Sequence, residues 1–548
     1  MTILQGTGVV PGVGTGPVVR PMPRPEVPAD EPELSPEEGT ERFSAAAEAV
    51  AGRLEQRATN ASGPAAEVLV ATAALARDRG LVGLVSAQLG SGNRLAAATV
   101  AAVDQLSEMF RSAGGLMAER VSDLYDIRDR VMAELTGQPE PGIPMPEKPS
   151  VLCADDLAPA DTAGLDPAVI VAIATSLGGV TSHTTIIARQ LGIPCVVGCE
   201  GLDDVESGSR LLVDGTTGEV VLDPDPQMEQ ERVAAAEAAA EAARSWTGPG
   251  VTSDGHAVDI LANVQDGAGA ERAARTHVQG VGLFRTELCF LSVDAEPTVD
   301  EQAAIYREVL DAMGDRKVVI RTLDAGSDKP LAFATMPDEP NPALGVRGMR
   351  LGLRDEGLMD RQLDAIAAAA AGAAGEVWVM APMVATEQEA EWFSARVRER
   401  ALIPGVMIEV PAAALLADRI LHHVDFVSIG TNDLSQYTLA ADRMSAGLSH
   451  LTDPWQPALL ALVGQVAQAG RDAGKPVGVC GEAAADPLLG CVLVGLGVTS
   501  LSAASTAAPA VGASLAAHTL LECQKAAEAA LAATDPQAAR EAATAALG

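Results

Sequence analysis

The sequence predicts a multidomain α/β protein: a small α/β domain with an inserted all-α subdomain, a linker helix, then a C-terminal (β/α)8 TIM-type barrel. Three observations carry this reading. Short apolar runs alternate with helical patterns from Val151 to Leu222. Ahead of them, almost everything from Ser35 to Leu135 has helical periodicity. After Gly250, strand and helix alternate through Val258–Ala262, Val281–Phe284, Val318–Thr322, Val377–Ala381, Val406–Val410, Phe426–Ile429, Val477–Val479 and Thr499–Ser502. Eight such strands over about 250 residues suit a closed parallel barrel.

Taken in order, Met1–Val19 reads as a strand-and-turn segment, with glycines punctuating valines. It is expected to belong, as residues 1–22, to the same α/β domain as residues 140–225. The all-α insertion spans 33–136. Its first helix opens at Ser35-Pro36-Glu37-Glu38, a capping serine followed by proline and acids in the first turn. Breaks are expected near Gly63-Pro64, Gly90–Asn93 and Gly114-Gly115. Gly137–Pro149, with five prolines in thirteen residues, must be a connector. An Ala/Glu-rich helix, 226–248, links to the barrel at 249–525, and 526–548 forms an Ala-rich tail, helical or frayed.

Length and charge exclude several classes. A chain of 548 residues can bury several cores. Its net charge of −36 argues against nucleic acid or an anionic membrane as partner. Seven dispersed cysteines without CxxC indicate neither a disulfide framework nor a zinc site, and fit a reducing cytoplasm. The glycine-rich N-terminus, with Arg20 its first basic residue, does not read as a secretory signal. Alanine runs such as Ala367–Ala374 are too short to insert into a bilayer.

Two constellations carry chemistry. In Gly178-Gly179-Val180-Thr181-Ser182-His183-Thr184, an apolar strand, Val169–Ala174, and a glycine turn lead into a helix beginning around Ser182. His183 thus sits beside the free N–H groups of a helix start, where an anion is favoured and a neutral imidazole can act as nucleophile. The competing reading is a capping turn with a structurally satisfied histidine. The second constellation lies where barrel strands end: Arg285-Thr286-Glu287, Arg321-Thr322-Leu323-Asp324 with Lys329 beyond, Glu409, Gly430-Thr431-Asn432-Asp433 with Arg443, and Cys480-Gly481-Glu482. Arginines suit an anion bearing carboxylate and phosphate. Glu409 and Asp433 offer hard oxygen ligands for Mg²⁺, or alternatively ion pairs to the arginines. Cys480, with an ordinary thiol pKa, could serve as an acid or fill core space.

These motifs resemble one family, Enzyme I of the bacterial phosphoenolpyruvate:sugar phosphotransferase system. The histidine segment, followed by Ile193-Pro194-Cys195-Val196-Val197-Gly198, is similar to its phosphohistidine signature, with Val180 where many members carry arginine. Gly282–Glu287 resembles its GLxRTE motif, Arg321–Lys329 its RTLDIGGDK, Asn341–Arg347 its NPxLGxR, and Gly478–Glu482 its GxCGE. Gly430–Thr438 with Asp442-Arg443 is similar to IGTNDLTQYTLAVDR. Asp161-Thr162-Ala163 resembles a segment whose threonine sits near the histidine ring.

The resemblance implies a swivelling phosphohistidine domain and catalytic His183 and Cys480. It implies phosphoenolpyruvate contacts at Arg285, Arg321, Lys329, Arg347, Asn432, Asp433 and Arg443, with Mg²⁺ at Glu409 and Asp433. The expected partners are phosphoenolpyruvate, pyruvate, a histidine-containing phosphocarrier docked on the helical insertion, and a second copy of the barrel in a cytoplasmic homodimer. Two alternatives stand beside this: a dikinase or phosphoenolpyruvate-synthase-like enzyme lacking its nucleotide domain, and an inactive regulatory homologue.

Overall fold

The computed structural model describes the chain except residues 1, 23–24, 29, 61–63, 114–119, 145, 147, 158–164, 180–181, 292, 327–330, 335–338, 444 and 449, and the side chains of 60, 64–68, 113, 122, 183 and 446. Lys329, Val180, Thr162 and the expected break at Gly114-Gly115 lie outside the described residues. The chain divides into two compact units, Met1–Glu237 and Ala238–Gly548.

In the first unit, the glycine-rich N-terminus forms three strands: β1 (Thr2–Gln5), β2 (Thr7–Val10) and β3 (Val13–Val19). They complete an eight-stranded mixed sheet with β4 (Ser150–Ala154), β5 (Ile170–Thr175), β6 (Cys195–Val197), β7 (Arg210–Asp214) and β8 (Glu219–Leu222), in the order β1-β8-β7-β3-β4-β5-β6-β2. β3, β4, β5 and β6 run parallel in the middle, and antiparallel pairs extend both sides. The glycines of β3 are needed for closeness more than for turning. A Cβ on Gly14 would stand 2.2 Å from the Val171 carbonyl oxygen, so only glycine lets the backbones approach this far.

Between β3 and β4 the chain folds into helices α1 (Pro36–Asn60), α2 (Pro64–Ala76), α3 (Arg79–Gly90), α4 (Leu95–Ala113) and α5 (Val121–Thr136). They share a core that includes Phe43, Val50, Leu54, Leu81, Val103 and Leu124. The turn between α2 and α3 carries neither glycine nor proline and escapes the sequence reading. It exists because Asp78 caps α3, accepting from the Leu81 N–H at 3.0 Å. Buried Arg130 on α5 pairs with Asp126 at 2.7 Å and with Glu140 of the proline-rich connector at 2.8 Å.

Helix α6 (His183–Leu191) follows β5, and α7 (Pro226–Ser245) leads out of the sheet. The first turns of α7 are tied to the sheet by Glu229 with Arg210 and by Arg232 with Glu219 at 2.6 Å. Its later turns are mostly exposed.

The second unit is a closed, all-parallel barrel of β9 (Asp259–Val264), β10 (Gly280–Arg285), β11 (Lys317–Arg321), β12 (Val377–Ala381), β13 (Ile403–Ile408), β14 (Phe426–Ile429), β15 (Val477–Val479) and β16 (Ser500–Ala504). β9 closes on β16 and β10. All eight expected strands are present, shifted at their ends by a few residues. The boundary expected at 525 falls inside a helix, Leu520–Leu531. Its Ala526, Ala527 and Ala530, with Ala539 and Ala543 of the next helix, are buried in the barrel's core cluster. An alanine stripe allows close helix packing, so 526–548 forms part of the barrel's helical layer, a correction to the separate tail. No helix among the described residues is long and apolar enough to cross a membrane.

Candidate active site

The histidine segment is built as a helix start. Gly178 has φ +92°, a conformation that favours glycine, and turns the chain out of β5. Ser182 is the N-cap, extended at φ −63° and ψ 159°, and its Oγ accepts from the Thr185 N–H at 3.3 Å. Thr184 Oγ1 donates to Asp156 at 2.9 Å, and Thr185 Oγ1 donates to the Gly179 carbonyl at 2.9 Å. His183 is therefore the first helical residue, and no acidic residue stands in that first turn. Leu177, 61% exposed, and Ile186, 46% exposed, leave apolar surface on either side of it.

At the C-terminal ends of the barrel strands, charge is concentrated. Arg285 and Arg321 are register partners in β10 and β11, which sets them side by side at the mouth. Arg321 is held by Glu287 at 2.6 Å and Asp324 at 3.2 Å. Asp324 also receives Arg347 through Nη2 at 3.0 Å and Nε at 3.3 Å. Arg347 Nη1 reaches Asp433 at 3.4 Å, and Arg443 reaches the other Asp433 oxygen at 3.7 Å. Arg321 and Arg347 are buried with these carboxylates, an arrangement stable only while the charges stay paired. Arg285 makes no ion pair with any described residue, so its guanidinium is available for an anion.

Asn432 and Asp433 lie in the first turn of the helix Thr431–Leu439, which follows β14 directly. Asn432 Oδ1 accepts from the Glu482 N–H at 3.0 Å, joining the loops after β14 and β15. Glu409, just past β13, is 1% exposed. One of its oxygens accepts from the Met383 N–H at 2.6 Å, while Oε2 is buried without a hydrogen-bond partner. That oxygen leans over Gly430, where a Cβ would stand 2.7 Å from it. Burial, reinforced by the charges of Asp433 and Asp324, pushes the Glu409 carboxyl well above its usual range. An orphaned carboxylate oxygen beside a second carboxylate suits a divalent cation. Among the described residues no group of three or more His, Cys, Asp or Glu could hold a metal. A cation here would complete its shell with water or ligand oxygens, as Mg²⁺ commonly does.

Cys480 follows β15 and is buried. Its thiol is pushed up to about 11, chiefly by burial, so it stays protonated at neutral pH. The barrel thus brings together Arg285, Arg321, Arg347, Glu409, Asn432, Asp433, Arg443 and Cys480, while His183 belongs to the other unit. Sequence reasoning gave no role to Asp324, the carboxylate shared by two buried arginines, although its place at a strand end marked it. It also missed Met383, a non-glycine residue at φ +60° whose strained backbone aims its N–H at Glu409. No local motif signals that conformation.

Known proteins match along the chain. Residues 239–520 match the PEP-binding domain of PEP-utilising enzymes, 146–218 their mobile domain and 5–120 their N-terminal domain. A phosphoenolpyruvate-protein phosphotransferase of Streptomyces coelicolor is 46% identical over 555 aligned positions, covering 100% of this chain and 99% of that one. One from Haloferax volcanii is 37% identical, covering 94% of each chain. One from Staphylococcus carnosus is 39% identical over 71% of each chain. With matches across all three domains and full-length similarity, the chain belongs to the phosphoenolpyruvate-protein phosphotransferase family of PEP-utilising enzymes.

Proposed function

We propose that this enzyme transfers the phosphoryl group of phosphoenolpyruvate to His183 and then to a histidine of a small phosphocarrier protein. Pyruvate is released, and the transfer is the first step of sugar uptake by the phosphotransferase system. The observation that carries the barrel half is Glu409: a buried carboxylate with one oxygen unpartnered, beside the second carboxylate of Asp433.

In this reading Arg285, Arg321 and Arg443 bind the carboxylate and phosphate of the substrate, with Asn432 and Lys329 as further contacts. Arg347 touches the substrate or orients Asp433. Glu409 and Asp433 hold Mg²⁺, which, when bound, neutralises charge on the phosphoryl oxygens. The guanidinium groups stabilise charge as the phosphoryl group leaves, the principal task in such transfers. Cys480 protonates the enolate carbon to give pyruvate.

On the other unit, the His183 ring is the nucleophile, and the helix N–H groups receive the phosphoryl oxygens. The nucleophile must come within roughly 3–3.5 Å of phosphorus and later face the carrier docked on the helical insertion. The histidine unit therefore swings, with α7 as its lever. The protein works as a cytoplasmic homodimer through the barrel.

Incubation with labelled phosphoenolpyruvate and Mg²⁺, followed by mapping of acid-labile phosphate, tests the reading. Label on His183 with stoichiometric pyruvate supports it. Label elsewhere, or pyruvate without label, overturns it. A disulfide locking the two units in the transfer-competent state should preserve labelling of His183 and block onward transfer; equal rates for both steps would rule out the swing.

A further inference from the structure

Parallel barrels of this type normally fill their interior with branched apolar side chains. Here the filling is one-sided. Toward β10–β13 the interior holds Leu283, Val319, Met380 and Met407 in an apolar cluster that Phe426 of β14 and Cys480 join. Toward β14–β16 stand the small residues Ser428, Gly478, Ser500 and Ser502. The glycine keeps this side open: a Cβ on Gly478 would lie 2.5 Å from Ser500 Oγ and 3.9 Å from Ser428 Oγ.

A cavity of about 240 Å³ results. It lies at the N-terminal ends of the strands, opposite the candidate active site, where Lys317 and Asp259 form a pair at 3.0 Å and Ala257 and Pro476 are exposed. Several waters fit this volume, at roughly 30 Å³ each. Its inner wall includes Ser428, whose hydroxyl bears on the Cys480 thiol, while the thiol itself donates to the Ile429 carbonyl at 3.6 Å. Hydroxyls both donate and accept, so they can hand a proton along, which an apolar filling cannot.

We propose that this cavity is a proton entry: substrate reaches Cys480 from the mouth, and the proton Cys480 gives up is replaced from bulk water through the barrel floor by way of Ser500 and Ser428. The proposal rests on the phosphoryl-transfer reading for its purpose. When the enolate carbon takes the thiol proton, a C–H bond forms and the S–H bond breaks, leaving its electron pair on sulfur. The thiolate then takes the Ser428 hydroxyl proton, Ser428 regains one from Ser500 or cavity water, and bulk water supplies the net proton. The mouth is poorly placed for this step. Product still covers the thiol there. The serines act through Cys480 and touch no reacting atom.

The test follows the S–H infrared band of Cys480, assigned by its loss in Cys480→Ser, as it exchanges in D₂O. The protein is held with Mg²⁺ and oxalate, an isostere of pyruvate enolate, and also ligand-free, since the thiol is buried in both cases. Ser428→Ala removes the last hydroxyl, Ser500→Val fills the cavity, and Ser428→Thr restores a hydroxyl. Exchange slowed about tenfold in the first two and recovered in the third supports the entry. With it should come a comparable loss in steady-state pyruvate formation, while a single turnover labels His183 at the parental rate. Parental exchange in both Ser428→Ala and Ser500→Val, with and without oxalate, overturns it. A parent that fails to label His183 would instead sink the phosphoryl-transfer reading, and the ligand-free exchange rates would still decide the route.

Discussion

The first turn of α6 carries no acidic side chain, and its donors are backbone N–H groups beside Ser182, Thr184 and Thr185. The barrel mouth instead packs Arg321, Arg347, Glu287, Asp324, Glu409 and Asp433 into one buried cluster. The contrast separates two ways of handling an anion. A helix start offers fixed partial charges that need no counter-ion, so its segment can be exposed and move. Full charges buried together must be mutually compensated, which demands a rigid scaffold such as the closed barrel. In the proposed reaction the exposed element carries the phosphoryl group between partners, and the rigid one stabilises charge during transfer.

The sharpest way to break this division is at the nucleophile. His183→Ala should abolish phosphoryl acceptance with the melting curve unchanged; retained acid-labile phosphate, or label at His256 or His450, would show that the helix start is not the acceptor. On the barrel side, Glu409→Gln keeps the shape but offers a poorer cation ligand, and should cut turnover by about 10²–10³-fold, judged from the loss of single electrostatic groups in other active sites. Stability should hold or rise, since a buried carboxyl with a raised pKa is removed; a titration of turnover against Mg²⁺ that matches the parent would place the metal elsewhere.

Asp324→Asn tests whether the cluster is held by compensation. It leaves Arg321 and Arg347 short of one shared charge and should cost about 3–5 kcal/mol of barrel stability, read by denaturant unfolding; a change below 1 kcal/mol would mean that Glu287 and Asp433 suffice. Cys480→Ser should reduce pyruvate release roughly tenfold or more, within the range for a general acid, and leave first-turnover labelling of His183 intact. Equal loss of both would make Cys480 a structural residue. The smallest effect is expected at Ser182→Ala, which removes the cap and should weaken α6 by about 1 kcal/mol, seen as faster amide exchange in α6. Unaltered exchange would show that the helix start is held by the Thr184 and Thr185 contacts alone.

Much of this is legible in the amino-acid sequence. Glycine and N-cap chemistry at Gly178 and Ser182 are local, so the start of α6 follows from its own residues. The eight barrel strands could be read from their apolar runs, and charged residues at their ends marked the mouth in advance. The partners of those charges could not be read. Asp324 and Arg347 lie 23 residues apart and Arg347 and Asp433 lie 86 apart, pairings set by barrel closure. The orphaned oxygen of Glu409 lies over Gly430, which follows β14, and Met383, at positive φ, donates to a Glu409 that stands 26 residues away in the chain. The floor cavity is likewise invisible in one dimension, since Gly478, Ser500 and Ser428 come from three strands. Sequence determined what depends on neighbours a turn away: caps, periodicities and the chemical inventory of the mouth. Tertiary structure decided which charges are paired and which are free, because Coulomb and desolvation energies depend on distance in space and on burial, and neither is a property of position along the chain.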